Sequence, residues 1–231
     1  KWNYLTTHFE DFEKELIYLR KNNYCTISLD DLYNHIHYDK KIPKKSIILT
    51  FDDGYVDNYI FAYPLLKKYG FKGTIFINPE FADPRDIIRK RFDESNKVIL
   101  EDTTGFLSWQ EMRLIEREGV FDIQSHAMTH TWYPISNNII GFRKNNDENS
   151  WMTWNNYPKK KPYLQIENDS LIHLGEPVYE NEKSLMARRY FPNQILKRHL
   201  IEFVKNNGGL SFFNQLGWEQ ILFNFKNKII D

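Results

Sequence analysis

The sequence of 231 residues holds a single cysteine, Cys25. That excludes an internal disulfide and any zinc knuckle built on several thiolates, and it is silent about compartment. Charge of one sign is not in excess either, with 31 basic residues against 31 acidic. Binding driven mainly by phosphate neutralisation is therefore not the expected activity, and nucleic acid is not the expected partner. No apolar run approaches the roughly 20 residues that span a bilayer. No short apolar segment behind a basic start reads as a signal peptide. Internal repeats and low-complexity linkers are missing as well, so one continuous domain over residues 1–231 is the expectation. What the chain does have is core material: 41% of residues are hydrophobic and 16% aromatic.

Helical and strand-like segments alternate through the first half. Thr7-His8-Phe9-Glu10 has capping-box spacing, and Phe9, Phe12, Leu16 and Leu19 follow at helical intervals. A short strand is expected at 24–27, and Ser28 with Asp31 opens a second helix. Residues 46–51 (SIILTF) form a compact β-branched run of the kind found in parallel sheets covered on both faces. A helix is expected over 57–69, kinked or divided at Pro64. Residues 73–78 (GTIFIN) and 120–124 (VFDIQ) read as further buried strands, separated by a helix capped at Ser108 and closed by Gly119. This order points to an α/β architecture with a largely parallel sheet, open or closed into a barrel. Two stretches, 79–104 and 131–192, resist assignment, and loops of such length in a compact domain are often functional. The second carries Trp132, Trp151, Trp154, Tyr157, Tyr163 and Tyr179. Helices return near 193–207 and 214–227.

The strongest local feature is Thr50-Phe51-Asp52-Asp53-Gly54, where an expected strand runs out. Parallel α/β sheets place their chemistry at the carboxyl ends of strands, and a turn helped by Gly54 lets both carboxylates face one opening. The plain alternative is a strand-to-helix turn, since Asp and Gly are ordinary turn residues. The second feature is Ser125-His126-Ala127-Met128-Thr129-His130, directly after another expected strand. Imidazoles four residues apart can chelate one ion. A solvated pair is the plain alternative here. The shared location favours the functional reading: both motifs follow buried strands, and in a parallel sheet both lie on the same rim. One Asp with two His is a facial ligand set that leaves positions open for water and substrate.

TFDDG at residues 50–54 followed by SHAMTH at 125–130 resembles the polysaccharide deacetylase family, also called the NodB-homology domain. Asp53-Gly54-Tyr55-Val56-Asp57-Asn58-Tyr59, Gly70-Phe71-Lys72-Gly73-Thr74-Ile75-Phe76 and Leu107-Ser108-Trp109 support the resemblance, which runs from about Phe9 to Trp132. It implies a deformed (β/α) barrel and metal-dependent removal of acetyl groups from amino sugars. By position it makes Asp52 the catalytic base and Asp53, His126 and His130 the ligands of one divalent ion. Zinc is the usual ion, and cobalt, nickel or iron also suit these ligands. The family's arginine that orients the base has no matching string here. Arg189, in Arg188-Arg189-Tyr190-Phe191-Pro192, is the nearest substitute, and a solvated arginine pair is its plain alternative. The family's proton-donating histidine is also unmatched. Leu196-Lys197-Arg198-His199 fits the letters but reads as helix, and His173 is the other candidate.

Gly175-Glu176-Pro177-Val178-Tyr179-Glu180 and the later Arg-Arg-Tyr-Phe-Pro resemble a subgroup with a long insertion, placed here at about 131–192, that acts on bacterial envelope glycans. Trp132, two residues after His130, is the aromatic best placed to touch substrate. The others are read as a satellite core. The resemblance thus implies a deacetylase of an N-acetylated sugar, polymeric or lipid-linked, at the periplasmic or extracellular face of a bacterial envelope. An O-acetyl esterase and an inactive carbohydrate-binding protein of the same fold are the rivals, and retention of Asp52 speaks against the second.

Overall fold

The computed structural model describes residues 7–93, 103–163 and 169–230. The chain divides into two compact units with the boundary between Met128 and Thr129, close to where the aromatic insertion was expected to begin.

The first unit opens with α1 (Phe9–Lys21). Its N-cap is His8 and no side chain caps it, so the expected Thr7 box does not form. Helix α1 buries Leu16, and Phe9, Phe12 and Leu19 pack against the same core, as their spacing requires. Strand β1 (Cys25–Thr26) leads to α2 (Leu29–Tyr38), where Ser28 and Asp31 make both bonds of the capping box. The run 46–51 is not one strand. It divides into β2 (Ser46–Ile47), which pairs β1 in parallel, and β3 (Thr50–Phe51), which pairs a different neighbour. The expected helix at 57–69 is a π-helical turn, Asn58–Ala62, running into α3 (Tyr63–Tyr69). Pro64 stands two residues past that turn, and the Ile60 carbonyl four residues before it, which a proline cannot bond, accepts from Phe92 N–H at 2.9 Å.

Strand β4 (Gly73–Ile77) is the centre of a three-stranded parallel sheet in the order β3-β4-β5. Four of its five residues are buried, alternating faces alike, which is why its sequence is continuously apolar. Gly73 is required there: a Cβ would lie 2.7 Å from the Phe121 ring and 2.8 Å from the Phe51 ring. Helix α4 (Trp109–Arg117) is capped by Ser108 with Glu111 completing the box, and β5 (Phe121–Ser125) follows. The described strands of this unit form two separate sheets. The deformed barrel implied by the family resemblance does not close among them: β3 and β5 pair only with β4, and β2 departs to β1.

The second unit is built on an antiparallel pair, β6 (Trp132–Phe142) with β7 (Pro177–Lys183), whose register shifts between Pro134 and Ile139 and again before Gly141. Between them lie α5 (Ser150–Asn156) and short 3-10 turns. The unit ends in α6 (Gln194–Asn206), capped by Asn193, and α7 (Trp218–Ile230). Trp151, Met152 and Val178, with Trp154 packed against them, form a small core; Trp132, expected at the substrate, packs there too, and Tyr179 belongs to a different core. Of the expected irregular stretches, residues 94–102 and 164–168 lie outside the described residues. No helix among the described residues is long and apolar enough to cross a membrane.

Candidate metal centre

The parallel register lines up three strand ends. Phe51 pairs with Ile75, and Ile77 pairs with Ser125. Two residues past Phe51 is Asp53; one past Ile77 is Asn78; one past Ser125 is His126. All three sit on the carboxyl rim of one sheet, where parallel α/β folds present reactive groups.

The backbone that carries them is unusual. Asp53 has φ +68° and Gly54 φ +74°, and on the other loop Ala127 has φ +64° and His130 φ +41°. Non-glycine residues seldom adopt this left-handed region, and they persist there when the surroundings hold them. The first loop is held in several ways. Gly54 lies against Ile77, whose Cγ2 would be 3.0 Å from a Cβ. Leu107 N–H donates to the Gly54 carbonyl at 2.9 Å, and Val56 N–H donates to Gly105 at 3.0 Å. The Tyr55 ring stacks on Phe106, which stacks in turn on Phe81. On the second loop, His126 N–H donates to the Ile77 carbonyl at 2.7 Å and Glu80 N–H to the Met128 carbonyl at 3.2 Å.

Asp53, His126 and His130 each offer one ligand atom, and these atoms lie within 4.8 Å of one another. His126 Nε2 is 3.6 Å from Asp53 Oδ1. Donors on a tetrahedral zinc ion stand roughly 3.3 Å apart when each bond is about 2.0–2.1 Å. The trio therefore fits a divalent ion in donor type, and the Asp53–His126 pair stands close to that spacing. All three side chains are half-buried.

Asp52, the next residue before Asp53, is exposed at the end of β3. Trp132 opens β6, and its ring meets the His130 imidazole edge-on with centroids 6.4 Å apart. Arg189 is exposed, and its guanidinium lies over the rings of Tyr133 and Phe191 at 4.4 and 4.9 Å. With Trp151, Asn155 and Glu176 it lines a cavity of about 170 Å³ in the second unit. His173 lies outside any strand and is held in a polar network: its Nε2 is 2.8 Å from Tyr157 Oη, and its Nδ1 is 3.4 Å from Glu176 Oε2. His199 is exposed on α6. The reading from sequence passed over Asn78, which donates from Nδ2 to Asp53 Oδ1 at 3.0 Å and is 1% exposed. The available signal was a lone amide ending the apolar run GTIFI.

Residues 39–169 match the sequence pattern of the family described as Polysaccharide deacetylase. The Bacillus subtilis protein YxkH, named as a polysaccharide deacetylase, is 44% identical over 75 residues, which are 32% of this chain and 27% of that protein. The poly-beta-1,6-N-acetyl-D-glucosamine N-deacetylase of Escherichia coli K12 is 28% identical over 139 residues, 60% of this chain and 20% of that protein. The chain thus spans about a quarter or less of the length of these two relatives. Among solved structures, a de-N-acetylase from Aggregatibacter actinomycetemcomitans is 22% identical, with a TM-score of 0.46 over 59% of this chain and 51% of that one.

Proposed function

The chain belongs to the polysaccharide deacetylase family, and from that premise we propose that it hydrolyses the N-acetyl group of an amino sugar in a bacterial envelope glycan, using one divalent ion. The observation that carries this reading is the meeting of the Asp53, His126 and His130 ligand atoms within 4.8 Å, with the spare carboxylate of Asp52 next to it in the chain. The activity named for the Escherichia coli relative supports an N-acetylglucosamine polymer as the substrate class. The acidic and imidazole donors favour zinc and also suit cobalt, nickel or iron.

When bound, such an ion supplies a Lewis acid for the acetyl carbonyl and lowers the pKa of the attacking water. The remaining chemistry falls to the chain. Asp52 accepts the proton as water adds to the carbonyl carbon. The proton that Asp52 took from water passes to the sugar nitrogen as the C–N bond breaks, so the products are acetate and the free amine. Asp53 holds the ion and is thereby withdrawn from proton transfer, so the two neighbouring carboxylates divide the work. Trp132, on the His130 ring, is proposed to offer its face to the sugar. Arg189 is proposed to bind the glycan as well.

The test is acetate release from poly-N-acetylglucosamine by the wild-type protein and by Asp52→Asn, with metal content measured on both. The reading requires unchanged metal and a loss of turnover of at least 100-fold, within the range general-base catalysis supplies. Turnover preserved in Asp52→Asn would remove the assigned base. Release of acetate from O-acetylated glycans alone would move the activity to ester hydrolysis.

A further inference from the structure

Asn78 is a buried side chain with only half of its amide in use. Its Nδ2 donates to Asp53 Oδ1 at 3.0 Å. Its Oδ1 is buried and has no hydrogen-bond partner among the described residues. The orientation of the amide follows from charge: turned over, it would aim an oxygen at a carboxylate oxygen, so the NH2 group must face Asp53. A residue of this shape kept for stability alone would be better as leucine, because a buried acceptor left unpaired is a net cost. What the asparagine contributes is its one bond, and that bond ends on Asp53.

The position of Asn78 is also over-determined. It follows Ile77 at the end of the central strand β4. The Ile77 carbonyl accepts from His126 N–H at 2.7 Å, and the Ile77 side chain lies against Gly54. One strand end therefore touches both ligand-bearing loops, and Asn78 projects from it onto a ligand oxygen. That oxygen is the same one that stands 3.6 Å from His126 Nε2. A carboxylate oxygen has two lone-pair sites. The amide occupies one and fixes the rotation of the carboxylate, leaving the other to face the imidazole.

We propose that Asn78 is a positioning residue for the metal site: it locks the Asp53 carboxylate in the orientation that binds the ion, at an atom already set against His126. Outer-shell partners of this kind typically govern metal affinity by 10–100-fold. The proposal rests on the metal reading of Asp53, His126 and His130, and its test separates the two.

Zinc and cobalt affinities are measured by competition with a chromophoric chelator for the wild type, Asn78→Leu and Asn78→Ala, alongside thermal melting of the metal-free proteins. The positioning role requires a dissociation constant about 10–100-fold higher in both variants, with the metal-free Asn78→Leu melting no lower than the wild type. A lower metal-free melting point with unchanged metal affinity would assign Asn78 to packing and overturn the role. If the wild type itself binds no metal, the metal reading falls and this role with it. A second readout needs no variant. In the wild-type protein the Asn78 side-chain amide resonances should exchange slowly with solvent and shift when metal is added; fast exchange, or no shift, would contradict the proposal.

Discussion

At the scale of single residues, the site depends on groups whose chemistry shows in their letters and on one whose role does not. Asp53, His126 and His130 carry ligand atoms and follow expected strands, so their meeting was legible. His126→Ala and His130→Ala should each weaken metal binding by at least 10-fold in an equilibrium titration, since each removes a proposed ligand; undiminished affinity in either would take that residue out of the site. Asn78 was not legible, because an amide at a strand end is as easily a turn residue, and only the coordinates show which oxygen it grips. Arg189 was legible as a candidate for the base-orienting arginine. In the structure its guanidinium is stacked on Tyr133 and Phe191, contacts that pattern matching at the sequence level does not supply.

At the scale of elements, local rules succeeded where the hydrogen-bonding partners lie within four residues. Ser28–Asp31 and Ser108–Glu111 both form the capping boxes their spacing announces. The second does more than cap. Glu111, fully buried, also accepts from Arg89 N–H at 2.8 Å and from the Arg89 guanidinium, which in turn reaches Asp83. Replacing Arg89 with Met should destabilise the first unit by about 3–5 kcal/mol in urea denaturation, because it strips the buried Glu111 and Asp83 carboxylates of the cation they share. Ser108→Ala should cost about 1–2 kcal/mol in the same measurement. Gly54→Ala should cost a further 1–2 kcal/mol, roughly the penalty of a Cβ at a left-handed φ, and should weaken metal binding because Asp53 shares that turn. A Gly54→Ala protein as stable as the wild type would show that the turn is not strained. Local rules failed where partners are distant. The run 46–51 looked like one strand because apolar content does not record which sheet each half joins. The hairpin of β6 and β7 escaped because its register shifts interrupt the period-2 alternation.

At the scale of the whole molecule, the parallel order of the first unit was readable from strand–helix alternation, and the barrel closure implied by family resemblance was not realised among the described residues. The second unit, Thr129–Asp231, runs past the insertion expected at about 131–192, and its antiparallel β6–β7 pair was not legible. It carries a pH-sensitive anchor. Burial pushes the Glu176 carboxyl up, but hydrogen bonds and charge from His173, Lys197 and Asn156 outweigh it and hold the group below the ordinary value of 4.5. A depressed carboxyl lends stability that is complete above its unfolded value and is lost as pH falls through the folded one. Melting temperature should therefore drop as pH falls below about 4.5, and Glu176→Gln should flatten that part of the profile; an unaltered profile would exclude this pair as its source. The account as a whole turns on one ion held by residues from two strand ends. The most direct measurement is the metal stoichiometry of the purified protein after metal loading and dialysis, for the wild type and for the Asp53→Ala, His130→Ala double variant. One divalent ion per chain in the wild type and none in the variant is the expected result, and a full equivalent retained by the variant would contradict the site.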